Sequence, residues 1–253
     1  MLPRLMPVLT LIDGQVYRTK QFKNPRYIGD PVNTVKLFNE KMVDELIIFD
    51  IGNKKQIRLP HFSSVMQDIT SQAFMPMAFG GGVFSVADAK KVFDAGFEKV
   101  IINSALFINP NIVEEIASIY GSQSVVVSID LTKNIWGNPK LCTRVATKIQ
   151  YENYLSLAQV AEKLGAGELI VRDVQKDGLM QGMNLDIVRQ ISTAVNIPVV
   201  ATGGAWDFNH IKDAIASGAH SVAAGNMFVY KGKRQAVLIN YPSKNEIKEI
   251  FDV

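Results

Sequence analysis

Short apolar runs alternate with amphipathic segments along the whole chain, and this alternation predicts eight strand–helix units. The run Gln123–Ile129 is almost continuously apolar, which is typical of a parallel strand buried on both faces. The predicted strands are Leu5–Ile12, Glu45–Ile51, Phe74–Phe79, Lys99–Asn103, Gln123–Ile129, Glu168–Asp173, Ile197–Thr202 and Ser221–Gly225. The predicted helices are Pro31–Met42, Pro60–Gln72, Ser85–Ala95, Pro110–Tyr120, Tyr154–Leu164, Leu185–Ala194, Phe208–Ser217 and Ser243–Phe251.

A long internal repeat relates the two halves of the chain. Pro76–Val83 reads PMAFGGGV and Pro198–Trp206 reads PVVATGGAW, and Gly81 and Gly203 lie 122 positions apart. Eight parallel strands with eight helices close into a barrel of about 250 residues, and this chain has 253. We therefore predict an α/β fold, a single (β/α)8 TIM barrel over residues 1–253, built from a duplicated half-barrel with halves of about 1–122 and 123–253.

Two segments interrupt the rhythm. Tyr17–Asp30 is too long for an ordinary strand–helix loop and carries four cations and no acid before Asp30. It is either a lid that attracts an anionic substrate or a solvated flexible loop. Thr132–Gln150 contains Gly137-Asn138-Pro139 between two β-prone pieces, which predicts a β-hairpin inserted after the fifth strand.

Composition excludes several classes of function. The net charge of +3 is too small to indicate a nucleic-acid partner, and no basic stripe with interleaved aromatic residues occurs. The single cysteine, Cys142, excludes an internal disulfide, and the three histidines are widely separated. We expect no metal and no cofactor. The first residues form neither a signal peptide nor a membrane span, so we expect a cytoplasmic protein without a membrane partner.

In a barrel of this kind the functional groups lie at the carboxyl ends of the strands. Two glycine turns related by the repeat would lie there, on opposite sides of the barrel mouth. Their backbone N–H groups could bind a phosphate at each end of one ligand, or the glycines could serve only to make tight turns. The groups placed at these strand ends are Thr10, Asp50, Gly80–Gly82, Asn103-Ser104, Asp130, Asp173, Asp177-Gly178, Gly203-Gly204 and Gly225-Asn226.

Asp130 is the candidate acid–base residue, because it ends the apolar run VVVSID and its neighbours would desolvate it. The alternative is an aspartate that only orders the following loop. Its repeat partner is Thr10, whose hydroxyl does not titrate near neutral pH. Two-ended acid–base chemistry would need a second carboxylate at that position.

Several motifs together resemble the HisF family, the cyclase subunit of imidazole glycerol phosphate synthase, over nearly the whole chain. They are DG after the first strand, GDP at Gly29–Pro31, DELIIFDI, GGG, INSA at Ile102–Ala105, YGSQSVVVSID at Tyr120–Asp130, GAGE at Gly165–Glu168, KDG at Lys176–Gly178, and TGGA. The resemblance implies a barrel that receives ammonia from a separate HisH-like glutaminase subunit. It also implies a bis-phosphorylated ribotide as ligand and two catalytic aspartates, at the ends of the first and fifth strands.

The resemblance assigns roles position by position. The fifth-strand aspartate is Asp130, Thr10 stands at the first-strand position, and Arg18 stands where the family has a loop lysine that contacts substrate. The phosphate-binding positions fall on Gly81, Gly82, Asn103, Ser104, Asp177, Gly178, Gly203, Gly204, Gly225 and Asn226. The charged gate for ammonia falls on Arg4, Glu45, Lys99 and Glu168, which read without the family could be a stabilising ring. A Thr-Ser pair of the family falls on Arg172-Asp173.

The chain keeps the charged gate but lacks one of the two acid–base residues. This combination resembles the HisF-like paralogues encoded with bacterial surface-sugar genes. The C-terminal KGKRQAVLINYP, Lys231–Pro242, resembles the same branch. That grouping implies amidation of an acetamido sugar for O-antigen, lipopolysaccharide or flagellin glycan, with a third, ATP-using amidotransferase. The alternatives are a true cyclase of histidine biosynthesis and a non-catalytic activator of the glutaminase.

Overall fold

The protein is a closed (β/α)8 barrel, as the sequence predicts. It is seen here as a computed structural model that describes residues 2–52, 62–143, 151, 153–232 and 234–251. Parallel pairing runs from each strand to the next, and Arg4–Pro7 pair with Ser221–Ala224 to close the sheet. The barrel strands are β1 Arg4–Ile12, β2 Leu46–Asp50, β3 Met77–Gly80, β4 Lys99–Ile102, β5 Val125–Lys133, β6 Glu168–Asp173, β7 Val199–Thr202 and β8 Ser221–Ala224.

Helices cover the outside of the barrel and pack on the outward side chains of the strands. They are α1 Pro31–Glu40, α2 Phe62–Thr70, α3 Val86–Asp94, α4 Ile112–Tyr120, α5 Tyr154–Lys163, α6 Leu185–Ala194, α7 Phe208–Ala216, α8 Asn226–Val229 and α9 Lys244–Phe251. Each half supplies four strands, which supports the prediction of a duplicated half-barrel without testing it. None of the helices among the described residues has the length and apolar character needed to cross a membrane.

Side-chain chemistry sets the helix starts largely as predicted. The Asp30 carboxylate accepts the Asn33 N–H at 2.8 Å, and Ser85 caps α3. Ser243 and Glu246 exchange hydrogen bonds before α9. The predicted start of the fourth helix at Pro110 is wrong by two residues, because α4 begins at Ile112 and the Asn109 side chain, which could have capped a helix at Pro110, accepts the Asn111 N–H. Residues 60 and 61 of the predicted second helix lie outside the described residues.

The segment predicted as a loop at Tyr17–Asp30 is instead a β-hairpin. Gln15–Lys20 pairs antiparallel with β1, and Lys23–Gly29 pairs antiparallel with Gln15–Lys20. The turn between them places Gln21 and Phe22 at positive φ. The length and charge of this segment predict either a lid or a solvated loop, whereas the observed pairing makes it two strands. The pairing makes this hairpin a continuation of the barrel wall above β1.

The hairpin predicted after the fifth strand is present. Strand β5 pairs antiparallel with Pro139–Leu141, and the intervening turn has Gly137 at a φ of +82°. At the tip, Ile135 and Trp136 are 92% and 80% exposed. Residues 144–150 of the predicted segment lie outside the described residues.

A buried phenol ties the C-terminal segment to the amino end of β1. The Tyr241 hydroxyl lies 2.9 Å from the Leu5 carbonyl oxygen and 2.9 Å from Asp44 Oδ2, and Asp44 also accepts the Leu5 N–H at 3.0 Å. Burial, with a further contribution from Asp44, raises the pKa of the Tyr241 phenol. The hydroxyl therefore stays a donor over the ordinary pH range.

Replacing Tyr241 by phenylalanine should lower the free energy of unfolding by about 1–3 kcal/mol, because Leu5 and Asp44 lose a buried partner. Urea unfolding measures this, with Tyr27→Phe, at an exposed tyrosine, as the matched control. The unfolded chain ionises before the folded protein, so the difference from wild type should narrow above about pH 10. Equal stability of the two variants near neutral pH would contradict the prediction.

Candidate functional site at the barrel mouth

The two glycine turns pack in the same way in the two halves of the barrel. Gly81 has a φ of +129°, and a Cβ there would overlap the carbonyl oxygen of Asp50. Gly203 has a φ of +93°, and its Cβ would lie 2.8 Å from the carbonyl oxygen of Asp173. Each turn therefore rests on the main chain of the residue that ends a neighbouring strand. Both turns line cavities at the barrel mouth.

An asparagine also follows each of β4 and β8, directly after β4 and one residue later after β8. Asn103 donates through Nδ2 to the Ser128 carbonyl at 2.7 Å, and Asn226 donates to the Gly178 carbonyl at 3.1 Å. Ser104 Oγ lies 3.2 Å from Asn103 Oδ1. These bonds fix the start of the short helical turns that follow each strand. The structure therefore brings the predicted phosphate-binding residues to two places on the mouth.

Thr10 and Arg18 form one polar centre of the mouth. Arg18 comes from the first hairpin but turns inward and is only 6% exposed. Its Nε donates to Asn226 Oδ1 at 2.9 Å, and its Nη1 lies 3.3 Å from the Val8 carbonyl and 3.4 Å from Thr10 Oγ1. A Cβ at Gly225 would overlap its guanidinium.

The Arg18 guanidinium is buried among neutral acceptors. Burial lowers the pKa of Arg18, the carboxylate of Asp177 opposes that shift, and the charge of Arg172 adds to it. None of the ion pairs within 4.0 Å among the described residues includes Arg18. The position that would need a second carboxylate thus holds a threonine beside a cation.

Asp130 and Arg172 form the other polar centre. Asp130 Oδ1 accepts the Ser128 hydroxyl at 2.8 Å and lies 3.9 Å from Arg172 Nε. The Arg172 guanidinium stacks 4.1 Å above the Phe49 ring centre and 5.5 Å from that of Phe22. The same carboxylate oxygen of Asp130 therefore has both a hydroxyl donor and a cation near it.

The mouth is divided into two cavities by this stacked group. The first cavity is lined by Gly81, Gly82, Asn103, Ser104 and Asp130, and the second by Thr10, Arg18, Asp177, Gly178, Gly203, Gly204, Gly225 and Asn226. Four residues line both cavities, namely Phe22, Phe49, Ile51 and Arg172. A ligand that reaches both glycine turns must therefore pass this divider.

Four charged side chains form a ring at the opposite, amino end of the strands. Arg4 donates to Glu45 at 2.6 Å and to Glu168, while Lys99 Nζ lies 2.9 Å from Glu45 and 3.0 Å from Glu168. Both glutamates are buried. Burial disfavours the charge of Arg4, but Glu168 and Glu45 more than compensate, so its pKa is raised. The four residues predicted as a gate therefore lie together.

Some predicted groups do not reach the mouth. The Asp173 carboxylate accepts the Gln175 N–H at 2.9 Å and the Asn184 amide at 3.2 Å, and it lines neither mouth cavity. No cluster of three or more potential metal ligands occurs among the residues that the structure describes. The chemistry available at the mouth is thus anion binding by N–H groups and arginines, with the carboxyl-bearing residues Asp50, Asp130 and Asp177 in the cavity linings.

Comparison with known proteins gives the family. A family model described as "Histidine biosynthesis protein" matches residues 4–235. A Pseudomonas aeruginosa protein named "Putative imidazole glycerol phosphate synthase subunit hisF2" is 38% identical over 245 residues, 96% of this chain and 97% of that protein. A Leptospira borgpetersenii protein named "Putative imidazole glycerol phosphate synthase subunit HisF" is 38% identical over 251 residues, 98% of each. An Exiguobacterium sibiricum "Imidazole glycerol phosphate synthase subunit HisF" is 31% identical over 230 residues, 90% of this chain and 91% of that protein. The chain belongs to the HisF family.

Within this HisF-family barrel, sequence reasoning missed the divider. Phe49 follows Glu45 and Ile47 on the inward face of β2, so strand alternation alone could have placed it at the mouth. Phe22 gave no such signal, because its position depends on how the first hairpin folds over the barrel. Arg172 was noted only as a departure from the family pattern, without its stacking partners.

The packing of the glycine turns yields a stability prediction. Gly14 also has a positive φ, but a Cβ there would meet nothing within 4 Å. Gly14→Ala should therefore cost about 1 kcal/mol from backbone strain alone. Gly81→Ala adds an overlap with the Asp50 main chain and should cost more than about 3 kcal/mol in total. Urea unfolding compares them, and equal losses would show that the Gly81 turn does not depend on this packing.

Proposed function

We propose that this HisF-family protein is the ammonia-accepting subunit of a cytoplasmic glutamine amidotransferase that pairs with a HisH-like glutaminase. The reaction served is the amidation of an acetamido sugar for O-antigen, lipopolysaccharide or flagellin glycan, together with a third, ATP-using amidotransferase. One observation carries the proposal: the charged ring is complete, whereas the mouth has Thr10 and Arg18 where a second carboxylate is needed.

The path from ring to mouth suits neutral ammonia. Between the two ends, the inward side chains form an apolar cluster that includes Met6, Val8, Ile47, Ala78 and Ala223. An ammonium ion would lose its hydration there at a high free-energy cost, whereas uncharged ammonia would not. The ring of Arg4, Glu45, Lys99 and Glu168 would act as the gate, because ammonia must pass these side chains to enter the barrel.

The face around the ring suits a protein partner. Met42 and Phe74 lie in the loops that lead into β2 and β3, and they are 68% and 89% exposed. The Phe74 N–H donates to Asn39 Oδ1 at 2.9 Å, so the loop that carries Phe74 is joined to the last turn of α1. Large apolar side chains in such a position favour a protein contact, and a glutaminase bound there would release ammonia at the gate.

The mouth retains features for binding a phosphorylated ligand. The glycine turns and asparagines keep the predicted phosphate-binding positions, and Arg18 keeps the charge of the loop contact. Asp130 is the catalytic candidate that remains, but the group across the mouth from it is a threonine. Two-ended proton transfer therefore lacks one of its groups, and loss of one cooperating group commonly costs orders of magnitude in rate.

The relatives support the paralogous branch. The Pseudomonas aeruginosa and Leptospira borgpetersenii proteins align over 96% and 98% of this chain, against 90% for the Exiguobacterium sibiricum subunit. The C-terminal segment Lys231–Pro242 resembled the sugar-amidation branch already at the level of sequence. The sugar role itself is our proposal, and the genes that flank this one would separate it from histidine biosynthesis.

The second candidate is a true cyclase, which would use ammonia to form imidazole glycerol phosphate. The names of the relatives and the retained Asp130 favour it. A third candidate is a non-catalytic activator of the glutaminase. It would need only the charged ring and the exposed Met42 and Phe74 on the same face. The cyclase differs from the other candidates in one measurable property, because it alone would convert the ribotide with ammonium in the absence of a partner.

Removing Lys99 tests the ammonia path. Lys99→Ala leaves the buried Glu45 and Glu168 with Arg4 as their only partner in the ring. The ring should then no longer control the passage of ammonia into the barrel. In the assembled complex, product formation from glutamine should fall about tenfold relative to product formation from ammonium. The control is Lys90→Ala, which removes an exposed helix lysine paired with Asp94 and should leave the ratio unchanged.

Thermal unfolding of Lys99→Ala distinguishes a lost gate from a lost fold, because removing one partner of a buried ion pair costs several kcal/mol, about 3–5. A folded variant that loses both activities equally would contradict the ammonia path.

Restoring a carboxylate at position 10 tests the loss of cyclase chemistry. The wild type should show no turnover of the bis-phosphorylated ribotide with saturating ammonium. Thr10→Asp should gain measurable turnover, because the new carboxylate faces the mouth beside Arg18. Thr10→Asn, similar in shape but unable to titrate, is the control. Wild-type turnover at the level of an ordinary HisF would overturn the proposal and support histidine synthesis.

A further inference from the structure

Arg172 is a buried cation with little to neutralise it. The residue is 8% exposed, and its nearest carboxylate contact is the 3.9 Å approach to Asp130, too long for a hydrogen bond. Among the residues that the structure describes, its guanidinium donates no hydrogen bond, yet no buried side-chain nitrogen is left without a partner. Its donor nitrogens therefore open into the mouth cavities.

The surroundings hold this guanidinium rigidly without satisfying it. The Phe49 ring supports one face at 4.1 Å, and the Gly80 backbone gives that ring its space, since a Cβ on Gly80 would lie 2.8 Å from it. Stacking fixes the plane of the guanidinium but uses none of its N–H groups. A fixed planar fork with free donors matches the oxygens of a carboxylate or phosphate.

A second buried guanidinium faces the same cavity. Arg18 and Arg172 both line the second cavity, and each is buried without a hydrogen bond to a carboxylate. Asp177 lines the same cavity, but neither arginine forms an ion pair with it within 4.0 Å among the described residues, so both cations remain available to an anion. Between two end sites for phosphate, this part of the mouth is suited to a third negative group.

We propose that Arg172, with Arg18, binds an oxyanion in the central part of the ligand, a carboxylate or a phosphoryl group, between the two glycine turns. A ligand whose anionic groups reach only the glycine turns would leave both arginines unpaired. The inference rests on the proposed function only in taking the mouth as the ligand site. Its substrate class is a sugar-sized molecule with an acidic group besides its terminal phosphate.

Three sugar phosphates test this by calorimetric titration. Glucose 1-phosphate has one phosphate, glucuronic acid 1-phosphate adds a carboxylate at C6, and glucose 1,6-bisphosphate adds a phosphate there. The wild type should bind one of the doubly acidic probes at least tenfold more tightly than glucose 1-phosphate. Which probe is preferred identifies the oxyanion. Absence of any preference, or of any binding at millimolar concentration, would overturn the proposal.

Variants assign the preference to Arg172. Arg172→Met keeps the bulk against Phe49 without the charge, and it should lose the preference, so that its affinities for the doubly acidic probes and for glucose 1-phosphate agree within about twofold. Arg172→Lys keeps the charge without the planar guanidinium, and its preference for the doubly acidic probe should lie between those of wild type and Arg172→Met. Arg189→Gln, at an exposed arginine on α6, is the matched control. A preference that survives in Arg172→Met would overturn the proposal.

Stability without ligand gives a second readout. If the charge of Arg172 stabilises the fold, the ligand-free Arg172→Met variant should be less stable than wild type. If the charge instead binds a ligand anion, the ligand-free variant should be as stable as wild type or more stable. A lower unfolding temperature for the ligand-free variant would therefore contradict the inference. These outcomes are independent of the Lys99 experiment, because neither the probes nor the variants involve the ring or a partner.

Discussion

Backbone pairing between Arg4–Pro7 and Ser221–Ala224 closes the barrel, and every functional group depends on that closure for its position. In a closed parallel sheet alternate side chains face the interior, so residues two apart along a strand lie at successive depths of the barrel. Strand β1 supplies Arg4, then Met6 and Val8, then Thr10. The same order of charged, apolar and polar side chains recurs on β6. Layering of this kind puts the ion ring at one end and the ligand cavities at the other, with an apolar interior between them.

The fold could be predicted because its signals are local. Buried parallel strands appear in the sequence as apolar runs. Helix-capping residue types stand at the predicted helix starts, as at Asp30, Ser85 and Ser243, and the internal repeat indicates two halves. The site could be predicted only in part. Arg18 reaches the mouth because Tyr17 pairs with Thr10, a register that local charge does not encode, so the segment read as a loop. The stacking of Arg172 on Phe49 joins two strands distant in sequence, and no spacing rule connects them.

The two polar centres of the mouth account together for its chemical character. An ancestral-type site would set two carboxylates across the barrel, each able to exchange a proton with the ligand. Here Asp130 lies near Arg172, and Thr10 lies beside Arg18, so a cation adjoins each of the two positions. Such a field favours retention of an anion over proton transfer. Under the proposed function, the barrel would receive ammonia and hold a ligand while another active site carries out the reaction.

The glycine turns rest on carbonyl oxygens of Asp50 and Asp173, so main chain alone supports them. Side chains at the strand ends can therefore be exchanged while the ligand cradle keeps its shape. The main chain of the turns shapes the ligand cavities, whereas side chains at the strand ends supply the reactive groups. In a duplicated gene, substitution of those side chains can therefore change the chemistry while the cavities keep their shape. A barrel assembled this way is a natural starting point for new enzymes, because a few substitutions at the mouth redirect it.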